Sequence, residues 1–208
     1  MGKEIRTEMI AAYMRALLAS FGKICLPIDQ HELRKLHQEK DFAGMVRFVR
    51  ASLNLDLRIQ IAIVKNRCQP NVPARIIGSI ASIPPYGTDA LRITNVTIYF
   101  QKMFLEKRPF EMIVAAIAHE LSHVVLYAIR HPLRNQKEAV DLTAMMLGYR
   151  DFFRDGCQHA DPELERSSFE NRLRALFGQK QAYTIGYLTP PEIQSVAIAM
   201  NKLSKTQR

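Results

Sequence analysis

Two histidines and a glutamate are the residues of this chain whose types and spacing most directly suggest chemistry. They lie in the segment His119-Glu120-Leu121-Ser122-His123. On a helix, His119 and His123 stand one turn apart on the same face, so that both imidazoles can hold one cation. Glu120 is offset from that face, where a carboxylate can take a proton from water whose pKa a zinc ion lowers to about 7. The segment therefore predicts a zinc-dependent hydrolase.

The residues around this segment argue against a chance match of five letters. Apolar residues precede it at 112–118 and follow it at 124–127, so the helix is expected to be mostly buried. Burying three ionisable groups without partners would cost several kcal/mol, and a bound metal is the partner that satisfies two imidazoles at once. The context therefore favours metal binding.

A third metal ligand must come from another part of the chain, and Glu138 and Asp141 are the candidates. Asp141 lies in the apolar stretch 139–147, where a carboxylate needs a counter-charge, whereas the first turn of a helix already explains Glu138. We expect Asp141 to be the third ligand, with Glu138 as an alternative or additional one. Because the two are three residues apart, one could hydrogen-bond a ligand histidine while the other binds the metal.

Two segments together carry a resemblance to a known family. AIAHELSHVVL at 116–126 and EAVDLTAMMLGYR at 138–150 resemble the HExxH zincin metallopeptidases, nearest to the short gluzincin-like branch. The same pair also resembles bacterial proteins of uncharacterised function. The resemblance implies zinc on His119 and His123, Glu120 as general base and proton shuttle, and peptide-bond hydrolysis. Gluzincins usually have a glutamate four residues before the aspartate, a position that Lys137 occupies here.

Peptide hydrolysis also needs a donor that stabilises the oxyanion, and a surface that holds the substrate. Tyr187 is the first candidate donor, and Tyr149, His131 and His159 are further candidates; for each of the four, a structural or surface role is favoured. In zincins an edge strand precedes the active helix, and residues 94–99 have the corresponding place here. An extended substrate could add to that edge as a further strand.

The periodicity of apolar residues predicts a single α+β domain over residues 1–208. A zincin-like fold is expected, with a small, mainly antiparallel or mixed sheet of about three strands packed on the HExxH helix. Residues 1–53 form an N-terminal helical segment, residues 54–153 the catalytic core and residues 154–208 the C-terminal helices. Helices are predicted over 4–22, 30–37, 42–53, 109–129, 137–153, 163–177 and 190–203, and strands over 53–63, 75–83 and 91–100.

Composition limits the partners and the compartment. The net charge is +9 and the pI about 9.6, but the basic residues are scattered and no nucleic-acid motif accompanies them, so a nucleic-acid partner is disfavoured against a peptide or protein substrate. The most apolar run contains His119, Glu120 and His123, which argues against membrane insertion. Three widely spaced cysteines fit a reducing cytoplasm. The alternative function is a non-catalytic zinc protein whose basic surface binds a nucleic-acid or protein partner.

Overall fold

Helices pack against a three-stranded sheet in the computed structural model of the chain, which describes residues 2–64, 74–78, 80–156 and 186–206. The helices are α1 (Gly2–Phe21), α2 (His31–Gln38), α3 (Phe42–Ser52), α4 (Asp89–Ile93), α5 (Lys102–Lys107), α6 (Phe110–Ala128), α7 (Lys137–Ala144), α8 (Arg150–Gly156) and α9 (Pro190–Thr206). The strands are β1 (Arg58–Val64), β2 (Ala74–Ile77) and β3 (Asn95–Gln101). The α+β class and the small mixed sheet are thereby confirmed.

The sheet has the order β1-β3-β2. β3 runs parallel to β1 and antiparallel to β2, and Ile98 is the register partner of both Ile61 and Ile76. Because both sides of β3 are paired, the prediction that residues 94–99 form an edge strand is wrong. Among the described residues, β2 is the edge strand on the side of the sheet that faces α6.

The helix α6 forms the centre of the core. It is apolar on nearly all sides, and it contacts α3, α7, α8 and β2. Among the described residues it is the one helix that is long and apolar enough to cross a membrane, but 83% of its most apolar 18-residue window is buried inside the protein. This degree of burial matches the predicted core helix, whose bounds of 109–129 agree closely with Phe110–Ala128.

The predicted helix over 137–153 is interrupted. α7 ends at Ala144, a π-helical turn follows over Met145–Tyr149, and α8 begins at Arg150. Gly148 has a φ of 109°, and a Cβ there would lie 2.6 Å from the Leu26 carbonyl oxygen. The link between α1 and α2 docks at this break, where the Ile28 amide donates to the Gly148 carbonyl at 3.1 Å. The apolar period alone does not reveal such a tertiary contact.

Polar side chains cap the starts of α3 and α9. The Asp41 side chain accepts a hydrogen bond from the Gly44 amide at the start of α3, and the Glu192 side chain accepts one from the Thr189 amide at the start of α9. The predicted strand starts are less accurate: Leu55 and Leu57 are buried ahead of β1, and Leu91 lies in α4 rather than in a strand. The predicted helix over 163–177 lies outside the described residues.

Candidate active site

The helix α6 brings His119, Glu120 and His123 together as its periodicity predicts. The two imidazole rings have centroids 5.0 Å apart and stand nearly perpendicular, at 85°. His119 is 7% and Glu120 8% exposed, while His123 is partly exposed. The pair therefore lies at the boundary between the core and the surface, where a small ion or a substrate group can reach it.

Asp141 from α7 fixes the orientation of the His119 ring. The Nδ1 of His119 donates to the Asp141 Oδ1 across 2.7 Å, and Asp141 is fully buried. A carboxylate that accepts from Nδ1 holds the proton on that nitrogen and leaves the Nε2 lone pair available. Among the described residues, the Nε2 of His119 and both ring nitrogens of His123 make no hydrogen bond.

The second Asp141 oxygen holds the chain just before α9. Its Oδ2 accepts from the Tyr187 amide at 2.5 Å and from the Leu188 amide at 2.9 Å. Gly186, with a φ of 84°, begins this segment, and a Cβ at that position would collide with the Asp141 carboxylate. Asp141 therefore joins α6, α7 and the segment 186–188 through three hydrogen bonds.

Glu120 faces the edge strand β2 rather than Asp141. Its Oε2 accepts a hydrogen bond from the Ile76 amide at 2.9 Å. Burial raises the pKa of the Glu120 carboxyl, and the nearby His119, the Ile76 amide and Arg75 offset only part of that rise. A carboxyl with a raised pKa is suited to both accepting and returning a proton near neutral pH.

The two histidines have pKa values that shift in opposite directions. Burial lowers the pKa of His119, but the hydrogen bond and the negative charge of Asp141 raise it by more, so that the net shift is upward. Burial, with a smaller contribution from His119, lowers the pKa of His123 to about 3. His123 is therefore neutral throughout the physiological range, as a metal ligand must be.

Tyr187 lies beside His119, which brings the predicted oxyanion donor to the site. Its ring centroid is 5.7 Å from that of His119, and the residue is 41% exposed. Burial raises the pKa of the Tyr187 hydroxyl, and the charges of Asp141, Glu120 and Glu138 raise it further. The hydroxyl is consequently a proton donor at neutral pH.

Glu138 is held at the border of the site by the first helix. The Arg6 Nη1 lies 3.4 Å from a Glu138 oxygen, and the Arg6 Nε donates to Glu192 at 2.5 Å. A further Arg6 nitrogen donates to the Tyr187 carbonyl at 3.0 Å. Arg6 thus connects α1 with the start of α7, the segment 186–188 and the start of α9.

The described part of the chain does not assemble a complete ligand set. Across residues 2–64, 74–78, 80–156 and 186–206, no group of three or more His, Cys, Asp or Glu side chains is arranged to hold a metal ion. His131 and Tyr149 are engaged elsewhere, His131 with Ser20 and Tyr149 with Ser52, and His159 lies outside the described residues.

The sequence patterns do not identify three residues that have defined roles at the site, namely Arg6, Ile76 and Gly186. Arg6 is one of many scattered basic residues, and Ile76 acts through its backbone amide, so neither carries a signal that periodicity or spacing could detect. Of the three, Gly186 is the residue whose type could have indicated its role, because a glycine tolerates both a positive φ and a close carboxylate.

Comparisons with known proteins do not add to the description of this site. A scan against protein-family models, a search of curated proteins and a search of solved structures each found no match to this chain.

Proposed function

We propose that this chain is a zinc-dependent metallopeptidase in which His119 and His123 bind the metal and Glu120 is the general base. The observation that carries the proposal is the short hydrogen bond from the His119 Nδ1 to Asp141. A buried carboxylate on the far nitrogen of an imidazole is the arrangement that orients zinc-binding histidines and raises their basicity. The imidazole nitrogens that have no partner in the described part of the chain are those that a metal would use.

The contacts of Asp141 support one of the two ligand sets that the sequence leaves open. Both Asp141 oxygens already accept hydrogen bonds, from His119 and from two backbone amides, and the residue has no exposed surface. We therefore assign Asp141 to positioning His119 and propose Glu138 as the third ligand. Glu138 has a partly exposed side chain, and its present partner Arg6 is 3.4 Å away.

Each of the surrounding groups has a separate role in the proposed hydrolysis. His119 and His123 would hold a zinc ion, which would supply a Lewis acid for the scissile carbonyl and for the attacking water. Glu120, held by the Ile76 amide, takes a proton from the attacking water and later returns it to the leaving amine. Tyr187 donates a hydrogen bond to the oxyanion. The neighbouring edge strand β2 replaces residues 94–99 as the strand on which an extended substrate would align.

Metal analysis of purified protein tests the first half of the proposal. After dialysis against a weak chelator, wild-type protein is expected to retain about one zinc ion per chain. His119→Ala and His123→Ala are expected to lose it, whereas the exposed control His31→Ala retains it. A folded wild-type protein without metal in zinc-supplemented buffer would overturn the proposal.

The variant Glu120→Gln tests the second half. It keeps the size of the side chain and an acceptor for the Ile76 amide but removes the base, so zinc should stay bound while peptide hydrolysis falls at least about 100-fold. The readout is a peptide-library digest analysed by mass spectrometry. Zinc-dependent melting without any hydrolysis by the wild type would instead favour the non-catalytic zinc protein.

A further inference from the structure

Two basic side chains flank the candidate site, and no carboxylate pairs with either of them among the described residues. Lys137 lies on the side of Tyr187 and His119, and Arg75 lies on the side of β2 and Glu120. Both residues are exposed. Neither forms an ion pair or a hydrogen bond within the described part of the chain. Their charges are therefore available to a ligand.

Lys137 stands within reach of a substrate bound at the histidines. The Lys137 Nζ is 5.1 Å from the Tyr187 ring centroid, and that centroid is 5.7 Å from the His119 ring centroid. The Lys137 ammonium is therefore at most about 11 Å from the His119 ring. An extended chain advances about 3.3 Å per residue, so this distance corresponds to roughly three residues. A carboxylate two residues or fewer from the scissile bond can therefore reach Lys137.

Arg75 occupies the corresponding position on the β2 side. It immediately precedes Ile76, whose amide donates to Glu120, and in the sheet it pairs with Tyr99. Its side chain is exposed, and its backbone adjoins the amide that holds the Glu120 carboxylate. A guanidinium here can also meet a carboxylate of a peptide aligned along β2.

The carboxylates of the site do not require these two cations. Asp141 accepts from His119 and two amides, Glu120 accepts from Ile76, and Glu138 is paired with Arg6. No carboxylate of the described site therefore forms an ion pair with Lys137 or Arg75, although the charge of Arg75 acts on Glu120. A ligand that brings its own negative charge would pair with both cations.

We propose that the site is selective for anionic peptides, namely those with a carboxylate within about two residues of the scissile bond. The carboxylate could belong to an Asp or Glu side chain or to the free C-terminus of the peptide, and Lys137 and Arg75 would bind it. This inference rests on the proposed peptidase function and adds the substrate class.

Binding to the zinc-loaded Glu120→Gln protein tests the inference apart from turnover. Fluorescent hexapeptides with Glu or Gln at the positions flanking the central bond, each with a free or an amidated C-terminus, are compared by anisotropy. The four peptides separate side-chain carboxylates from the terminal one. Lys137→Met and Arg75→Met are made in the same background, with Lys23→Met as control. Lys23 follows the end of α1 that lies farthest from Arg6.

The expected result is that a Glu-containing or free-acid peptide binds about three- to tenfold more tightly than its neutral counterpart, as single exposed ion pairs allow. Lys137→Met and Arg75→Met should each reduce that ratio, and 0.5 M salt should reduce it further. Lys23→Met should leave it unchanged.

Equal affinity for acidic and neutral peptides would overturn the inference while leaving the peptidase proposal intact. The absence of both peptide binding and wild-type hydrolysis would remove the two together. Preference for a single-stranded oligonucleotide, with no discrimination among the peptides, would also overturn the inference and assign the two cations to a polyanion instead.

Discussion

Two buried polar clusters of this protein look alike in composition but differ in how their hydrogen bonds are satisfied. The first is the histidine cluster of His119, Glu120, His123 and Asp141. The second, the arginine cluster, centres on Arg150, which is 1% exposed. The Arg150 Nε donates to Asn201 at 2.7 Å and its Nη1 to the Cys25 carbonyl at 2.7 Å. That cluster ties α8 to α9 and to the link after α1.

This difference helps to distinguish ionisable groups that are buried to stabilise the fold from groups that are buried in a binding site. In the arginine cluster the two observed donors meet acceptors on two other segments, as stable cores require. In the histidine cluster, three imidazole nitrogens have no hydrogen-bond partner within the described ranges, although Asp141 accepts from three donors. Burial of ionisable groups is therefore weak evidence for a site by itself, whereas an oriented ring with an unused lone pair points to a ligand.

Arg150→Met is expected to have the largest effect on folding and none on metal binding. It leaves the part-buried Asn201 and Cys25 acceptors without this donor, at a cost of up to about 1–3 kcal/mol each, part of which the removal of a buried charge offsets. Urea unfolding should show a loss of about 2–4 kcal/mol, against almost none for the exposed control Arg92→Met. Loss of zinc from folded Arg150→Met would show that the two clusters are not separate.

Asp141→Asn is expected to affect both folding and metal binding. An amide cannot accept from the His119 Nδ1 and from two backbone amides as a carboxylate does, so the His119 ring loses its orientation. Zinc affinity, measured by competition with a chromophoric chelator, should fall about 10- to 100-fold.

Glu138→Gln is the companion variant that distinguishes a ligand from a positioning residue. If Glu138 binds the metal, its substitution lowers zinc affinity without lowering the stability of the metal-free protein, because its one ion pair is partly exposed. Wild-type zinc affinity in Glu138→Gln, with loss only in Asp141→Asn, would return the third-ligand role to Asp141.

Arg6→Met is expected to have a smaller effect that depends on pH. Burial alone would raise the pKa of Glu192, but hydrogen bonds from Arg6 and Thr189 lower it below 4.5 in the folded protein. The stabilisation is therefore present above pH 4.5 and is lost as pH falls through the lowered pKa. The free energy of unfolding of wild type should exceed that of Arg6→Met by about 1 kcal/mol at pH 7, and the gap should close as the pH falls through the lowered pKa. A gap independent of pH would attribute the effect to the apolar part of Arg6.

Ser122→Ala is expected to have the smallest effect, and a favourable one. The Ser122 Oγ is fully buried in the middle of the motif and has no hydrogen-bond partner among the residues that the structure describes. Alanine removes that unpaired group and favours the helix, so the free energy of unfolding should rise by up to about 1 kcal/mol with zinc binding unchanged. A loss of zinc or of hydrolysis would show that Ser122 belongs to the chemistry after all.

The sequence by itself determined the features that depend on neighbours within one turn of chain. The apolar period predicted α6 to within a residue at each end, and a four-residue spacing placed His119 and His123 on one face. The caps formed by Asp41 and Glu192 are equally local, because each side chain accepts from a backbone amide three residues away. These features are local because a helix repeats every 3.6 residues whatever surrounds it.

Only the tertiary structure decided how those local pieces meet. It placed β3 in the centre of the sheet and β2 beside Glu120, and it broke the helix after Ala144 where the chain before α2 docks on Gly148. It also brought Asp141 into hydrogen-bond contact with the His119 ring, 22 residues earlier in the chain, and with the Tyr187 amide, 46 residues later. Such contacts depend on which surfaces bury one another, and no spacing within a single element encodes that choice.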